Sequence, residues 1–273
     1  MKSRAAVLLL LFVFLLSPEA NAGSRSAAEP VNFKPQEVYA FAKKVEKELA
    51  QRGAHIALVG RVGRAREDLP KGISFTHVGI FEYSMITTND GNKVPGYAVY
   101  NLYQLSDHPE LSELVQDFPA DFFSGVYTLE AGVIIPTPKL QQRISEVIHS
   151  PTYEKVHQPH YSVIANPFTK EYQNCTEHTL DVVVAAIYQT DDYDQIKADI
   201  KAYFKPQDVR YGKLSKNGLR FASIFIPDVT VSDHPNGPVQ TTTFTKIGEF
   251  LEQYKLQQEK FIVKPDTTST SVQ

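Results

Sequence analysis

The sequence has few cysteines, little net charge and few long apolar runs, and each shortage excludes a class of protein. Its 273 residues include one cysteine, Cys175, so no disulfide can form within the chain. The formal net charge of -3 provides no basic surface for nucleic acid. After the first 22 residues no apolar run approaches the ~20 residues that a membrane-spanning helix needs. We therefore expect neither a disulfide scaffold, nor a nucleic-acid-binding protein, nor an integral membrane protein.

The first 22 residues have the pattern of a secretory signal peptide. Lys2 and Arg4 precede an apolar run over residues 5–16, and residues 20–22 form the small-x-small triplet that a signal peptidase reads. No cysteine lies near that triplet, which excludes a lipoprotein anchor there. We expect cleavage near Ala22 and a periplasmic or secreted mature protein.

The remaining sequence predicts one α+β domain over residues 36–263, between a flexible lead-in at 23–35 and a disordered tail at 264–273. Apolar residues at helical spacing predict helices, whereas β-branched and aromatic runs predict the strands of an antiparallel meander. The predicted helices cover residues 35–51, 140–149, 193–204 and 247–254, with another starting near Cys175. The predicted strands cover residues 55–62, 74–83, 97–105 and 131–136, with one or two more in 219–231.

Cys175 is a candidate nucleophile because of its position. Leu180, Val183, Val184 and Ile187 recur at helical spacing after it, so the thiol lies in the first turn of a predicted amphipathic helix. The unpaired amides and the positive end of the helix dipole favour the thiolate there, and we expect an accessible thiol with a lowered pKa. The alternative interpretation is a small, inert, buried apolar residue.

Two polar residues interrupt predicted strands. His77 shares a strand face with Phe75, Gly79 and Phe81, and Gly79 predicts open space beside the imidazole. Asn101 lies on the next strand, where hairpin pairing brings it against His77. A cysteine, a histidine and a residue that orients the imidazole can form a thiolate and later protonate a leaving group. Alternatively, the histidine is a satisfied structural residue and the asparagine bonds the backbone.

The order of these residues resembles a group of known enzymes. The segment Thr-His-Val-Gly-Ile at 76–80 precedes Asn174, Cys175 and His178 at a helix start. This order is similar to the circularly permuted branch of the NlpC-type, papain-like cysteine hydrolases, in which the histidine strand precedes the cysteine helix. The resemblance implies that Cys175 is the nucleophile, His77 the base and Asn101 the orienting residue.

A second resemblance covers nearly the whole mature chain. The segments that carry it are GAHIALV at 53–59, GR at 63–64, FTHVGI at 75–80, VYNL at 99–102, YQN at 172–174 and SDHP at 232–235. They resemble the bacterial family of secreted proteins called domain of unknown function (DUF) 2145. That resemblance implies a bacterial periplasmic protein with the permuted fold and implies no substrate.

Several further residues are candidates for an oxyanion hole or a substrate cleft. Gln173 is a candidate oxyanion donor beside the Cys175 amide. The cleft candidates are Tyr172, Asn174, His160, Tyr161, His178 and His234. The loop with His234 either supports the core or rims the site.

A zinc site is an alternative use of the histidines. His157 and His160 have an H-x-x-H spacing that His178 and His234 could extend. Pro159 disfavours a helix at this pair, and no set of carboxylates and histidines converges in the sequence. We expect no metal and no cofactor.

These features predict a thiol hydrolase or acyltransferase that acts on a cell-envelope amide or peptide, and less readily on an ester. Without a basic cluster to bind anionic lipid headgroups, an amide or peptide substrate is favoured. Aromatic residues expected around the cleft are Phe81, Tyr100, Tyr103, Tyr161, Phe168 and Tyr172. The alternatives are a binding module of the same fold with a degenerate site, and a structural envelope protein.

Overall fold

The computed structural model describes residues 32–87, 90–209, 228–235 and 237–266. The predicted signal peptide and most residues of the predicted lead-in and tail lie outside these residues. Within the described ranges, no helix has the length and apolar character needed to cross a membrane. The predicted α+β class is confirmed by an antiparallel sheet packed against several helices.

A six-stranded sheet forms the centre of the fold, in the order β4-β3-β2-β1-β5-β8, and all of its neighbouring strands are antiparallel. The strands are β1 (Ile56–Val62), β2 (His77–Thr87), β3 (Lys93–Gln104), β4 (Ser112–Asp117), β5 (Thr128–Pro136), β6 (Gln207–Asp208), β7 (Gln240–Thr241) and β8 (Gln257–Val263). The short strands β6 and β7 pair separately. Strand β2, which carries His77, therefore has a partner on each side.

Helices cover both faces of the sheet. They are α1 (Pro35–Gln51), α2 (Pro119–Phe122), α3 (Pro138–Ile148), α4 (Thr152–Lys155), α5 (Cys175–Tyr188), α6 (Tyr193–Tyr203) and α7 (Phe244–Gln253). One apolar cluster packs α3, α5 and α7 against Leu58 and Val78. The other packs α1 and α2 against Val59 and Phe81. The two clusters use alternate residues of the same strands, because successive strand side chains point to opposite faces.

Most predicted elements are present, with shifted ends. Helix α1 has the predicted bounds, and all five of its predicted apolar positions are buried. Strands β4 and β8 were not predicted, because they are polar edge strands in which exposed residues weaken the apolar signal. Of the predicted strand region at 219–231, residues 219–227 lie outside the described residues and 228–231 form no strand.

Helix α5 begins at Cys175, as predicted, because Asn174 caps it. The side-chain Oδ1 of Asn174 accepts a hydrogen bond from the Glu177 amide at 2.9 Å. The predicted amphipathic character is wrong: every residue over 175–186 is buried. The helix lies between the sheet and neighbouring helices, so residues 175–186 have no solvent-facing side.

Candidate functional site

His77 and Asn101 are in direct contact. His77 is the first residue of β2 and is fully buried. Its Nε2 lies 3.0 Å from Oδ1 of Asn101 on β3, and its ring stacks on Tyr103 with centroids 4.8 Å apart. The contact expected from hairpin pairing is present. The catalytic roles of the two residues stay predictions.

Gly79 makes room for this contact. A Cβ at Gly79 would lie 2.6 Å from Oδ1 of Asn101 and 2.9 Å from the Phe122 ring. The open space expected beside the imidazole is therefore occupied by these two side chains. The expected shared face with Phe75 is also wrong, since β2 begins only at His77 and the Phe75 ring packs against α7.

A buried network continues from Asn101 to β4. Nδ2 of Asn101 donates to Oδ1 of Asp117 at 2.8 Å, and the Tyr103 hydroxyl donates to Oδ2 at 2.9 Å. Burial raises the pKa of Asp117 to about 7, although both hydrogen bonds favour the charged form. Asp117 was not a sequence candidate, because its strand was not predicted and a lone aspartate carries no motif.

The network determines which nitrogen of His77 carries the proton. Because Nδ2 of Asn101 faces Asp117, Oδ1 faces His77 and can only accept. Nε2 is therefore protonated, and Nδ1 carries a lone pair. This Nδ1 is buried and has no hydrogen-bond partner among the described residues. Burial, together with the charge of Arg61, lowers the pKa of His77 well below its usual range, so the ring is neutral at pH 7.

Cys175 contacts the main chain on both sides of His77. Its Sγ lies 3.9 Å from the carbonyl oxygen of Thr76, to which the thiol donates. The Val78 amide donates to the sulfur. In this structure the thiol therefore bonds the strand that carries His77 rather than the imidazole itself.

The environment of the thiol differs from the expected one. Cys175 is only 4% exposed, so the expected accessible thiol is not found. Burial raises its pKa to about 11, against the opposing effects of the Val78 and Thr176 amides and the Arg61 charge. The amides at the start of α5 act in the predicted direction, but desolvation is stronger, and the predicted lowered pKa is wrong.

A family model covers most of the chain and all of the residues of this site. The model described as "Uncharacterized protein conserved in bacteria (DUF2145)" matches residues 48–251. The chain belongs to the DUF2145 family. No curated protein and no solved structure gives a significant match. The family description names no activity, so a function for this DUF2145 protein must be argued from its site.

We expect the folded DUF2145 protein to react slowly with iodoacetamide at pH 7. With a pKa of about 11, only about one thiol in 10⁴ is ionised at that pH, and burial slows access further. The labelling rate should rise with each pH unit up to pH 10, measured by intact mass. The control is protein unfolded in urea, whose thiol should titrate near the ordinary ~8.5. A native midpoint at or below that of the unfolded control would contradict the prediction.

The oxyanion candidate Gln173 and the cleft candidate Asn174 both use their side chains in contacts within the protein. Nε2 of Gln173 donates to Asp181 at 2.7 Å and to the carbonyl oxygen of Val156 at 2.9 Å. Both of its amide hydrogens are thus engaged, and it offers no donor to a substrate in this structure. Asn174 is likewise committed, as the cap of α5.

Two of the cleft histidines have structural contacts. The buried His178 ring packs on Tyr153 with centroids 5.0 Å apart, and burial lowers its pKa to about 3. Nε2 of His234 lies 2.8 Å from the carbonyl oxygen of Ile164, so its loop supports the core.

The remaining cleft candidates, Tyr161, His160 and Tyr172, differ in how deeply they are buried. Tyr161 is buried, and Cys175 adds to burial in raising the pKa of its hydroxyl. His160 is exposed and Tyr172 is half-buried, with ring centroids 6.3 Å apart. Of the set, Tyr161 has the best claim to line the site, because it is buried and close enough to Cys175 for that group to raise the pKa of its hydroxyl.

The zinc alternative finds no support in the part of the chain that the structure describes. His157 Nε2 lies 3.1 Å from the Ser112 hydroxyl. Within the described ranges, no three His, Cys, Asp or Glu side chains are placed to hold a metal ion.

Proposed function

We propose that this protein is a cell-envelope cysteine hydrolase or acyltransferase with a circularly permuted, papain-like NlpC-type fold. Cys175 is the nucleophile, His77 the general base and Asn101 the residue that orients the base. The observation that supports this best is the state of His77. Its ring is neutral, its Nε2 proton is held by Asn101, and its buried Nδ1 lone pair is unpartnered. An unpaired buried acceptor costs about 1–3 kcal/mol, which a purely structural histidine has no reason to retain.

The position of the thiol supports the same proposal. Cys175 reaches the main chain at Thr76 and Val78, the two residues that flank the base. It also begins a helix whose first amides point toward the sulfur. Such amides are suited to stabilise the oxyanion that forms when a carbonyl is attacked.

The proposed reaction starts from a neutral thiol and a neutral imidazole. When substrate binds, the thiol exchanges its hydrogen bond to Thr76 for one to Nδ1 of His77. The Sγ–C bond forms as the thiol proton moves to Nδ1, and Oδ1 of Asn101 stabilises the imidazolium through Nε2–H. The C–N or C–O bond then breaks, with the proton passing from Nδ1 to the leaving group. Water, or an acceptor nucleophile, cleaves the thioester and regenerates the thiol.

The proposed substrate is an amide or peptide of the cell envelope. We expect the purified protein to cleave muropeptides rather than acyl-lipid esters when the products are followed by mass spectrometry, and we expect Cys175→Ala to remove this turnover. Turnover of the lipid esters alone, lost in Cys175→Ala, would overturn the proposed substrate and leave the proposed mechanism in place. Turnover that Cys175→Ala retains would overturn the mechanism.

The burial of the thiol favours a second candidate, a binding module with a degenerate site. A protein that only binds does not need a reactive thiol, and a pKa of about 11 suits that role. Saturable binding of a muropeptide by wild type and Cys175→Ser alike, with no turnover by either, would establish this candidate over the enzyme.

A further inference from the structure

We propose that Asp117 is a positioning residue that sets the tautomer of His77 through Asn101. Its importance for turnover rests on the proposed function. The tautomer itself is a property of the folded protein and can be measured without a substrate.

The side-chain amide of Asn101 can bind either neutral tautomer of His77, depending on which of its two polar atoms faces the ring. An amide flipped by 180° has almost the same shape, but it presents NH₂ to the ring where it had presented oxygen. With oxygen toward the ring, Nε2 must carry the proton and Nδ1 is free to act as a base. With NH₂ toward the ring, the proton moves to Nδ1 and the base is lost.

Asp117 removes this ambiguity. It is the last residue of β4 and pairs with Val99, two residues before Asn101 on β3, so the two side chains are diagonal neighbours. Above its pKa of about 7 the Asp117 carboxylate is ionised and can only accept hydrogen bonds, and its Oδ1 lies 2.8 Å from Nδ2 of Asn101. The flipped amide would place its oxygen against this carboxylate oxygen, with no proton between them.

Tyr103 links the two ends of the network. Its hydroxyl donates to Oδ2 of Asp117 at 2.9 Å, and its ring stacks on the His77 imidazole with an interplanar angle of 2°. The aromatic ring thus limits ring rotation of His77, whereas the hydroxyl holds the carboxylate. These four residues come from three adjacent strands, so the arrangement is part of the sheet rather than of a movable loop.

The test is ¹⁵N NMR of protein labelled at histidine nitrogens, with the His77 signals assigned by their loss in His77→Gln. In wild type at pH 9, where Asp117 is ionised, we expect Nε2 at the protonated position and Nδ1 at the unprotonated position. Asp117→Leu removes the closer of the two acceptors of Asn101 Nδ2 and leaves only the Val99 carbonyl oxygen at 3.4 Å, so it should shift Nδ1 toward the protonated position. Asp117→Asn should retain the wild-type tautomer, because its carbonyl can accept from Asn101 while its NH₂ faces the Tyr103 oxygen.

Tyr103→Phe is the matched control. It keeps the stacked ring and the Asp117–Asn101 bond, so the tautomer should not change. A wild-type His77 protonated on Nδ1 would overturn the proposal without any variant. So would an unchanged tautomer in an Asp117→Leu protein whose circular dichroism and thermal unfolding show that it is folded.

Activity separates this inference from the proposed function. If the protein turns over its substrate, Asp117→Leu should lower kcat by no more than the about 10²–10⁴-fold that a general base contributes, with little change in KM, because Asp117 acts only through His77. If no substrate is turned over but the tautomer shifts as expected, Asp117 positions His77 in a protein that is not an enzyme. Lowered kcat with an unchanged tautomer would refute the positioning role.

Discussion

Replacing Cys175 by alanine should abolish turnover of the proposed substrate, since no other described group can form the thioester. His77→Ala should lower kcat by about 10²–10⁴-fold, the usual contribution of a general base. Asn101→Ala should cost less than either, because it orients the base and does not react. The measurement is the steady-state rate on the muropeptide that wild type cleaves, with residual rates compared at equal protein concentration.

His108→Ala is the matched control for the histidine substitution. The side chain of His108 is 65% exposed and lies on the turn between β3 and β4, so its loss should leave both kcat and the melting temperature unchanged. Full activity of a folded His77→Ala protein would remove His77 as the base. An Asn101→Ala protein less active than His77→Ala would reverse the assigned roles.

Replacing Lys197 by methionine should destabilise the protein by about 3–5 kcal/mol, the usual cost of removing one partner of a buried ion pair. Nζ of Lys197 lies 2.7 Å from Glu177 and 2.9 Å from Asp181, and all three side chains are buried between α5 and α6. Without the ammonium group, two carboxylates remain buried next to each other. The free energy of unfolding in urea measures the loss.

The pH dependence of this loss identifies its cause. Burial raises the pKa of Glu177 and of Asp181, and the Lys197 charge opposes that rise. In Lys197→Met the folded carboxylates should hold protons that the unfolded chain releases above pH ~4, so stability should fall as pH rises from 4 to 7. The destabilisation should therefore be largest at pH 7 and above and smaller near pH 4.

Lys155→Met is the control for the loss of a lysine from an ion pair. The side chains of Lys155 and Asp191 are 2.8 Å apart but mostly exposed, so their pairing should add nothing measurable to the free energy of unfolding.

A second test neutralises the buried carboxylates. Adding Glu177→Gln and Asp181→Asn to Lys197→Met should restore part of the stability, because it removes the unpaired charges. A Lys197→Met protein as stable as wild type would show that the buried cluster contributes no net stability.

The sequence was sufficient for features that depend on local pattern. Helix α1 has its predicted bounds because Pro35 starts it and five apolar residues follow at helical spacing. Helix α5 starts at Cys175 because Asn174 is a strong capping residue. The contact between His77 and Asn101 follows from two neighbouring strands joined as a hairpin, which is also a short-range feature.

Only the tertiary structure decided the state of the candidate site. The thiol pKa depends on burial of Cys175 between helix and sheet, which outweighs the local amides that favour the thiolate. Asp117 reaches Asn101 through pairing of an edge strand whose sequence carries no apolar alternation. The protonated nitrogen of His77 follows from that contact in turn. Local spacing in the sequence determined which helices and strands form. Desolvation and strand pairing depend on residues far apart in the chain, so the protonation states and contacts of the site residues were determined by packing.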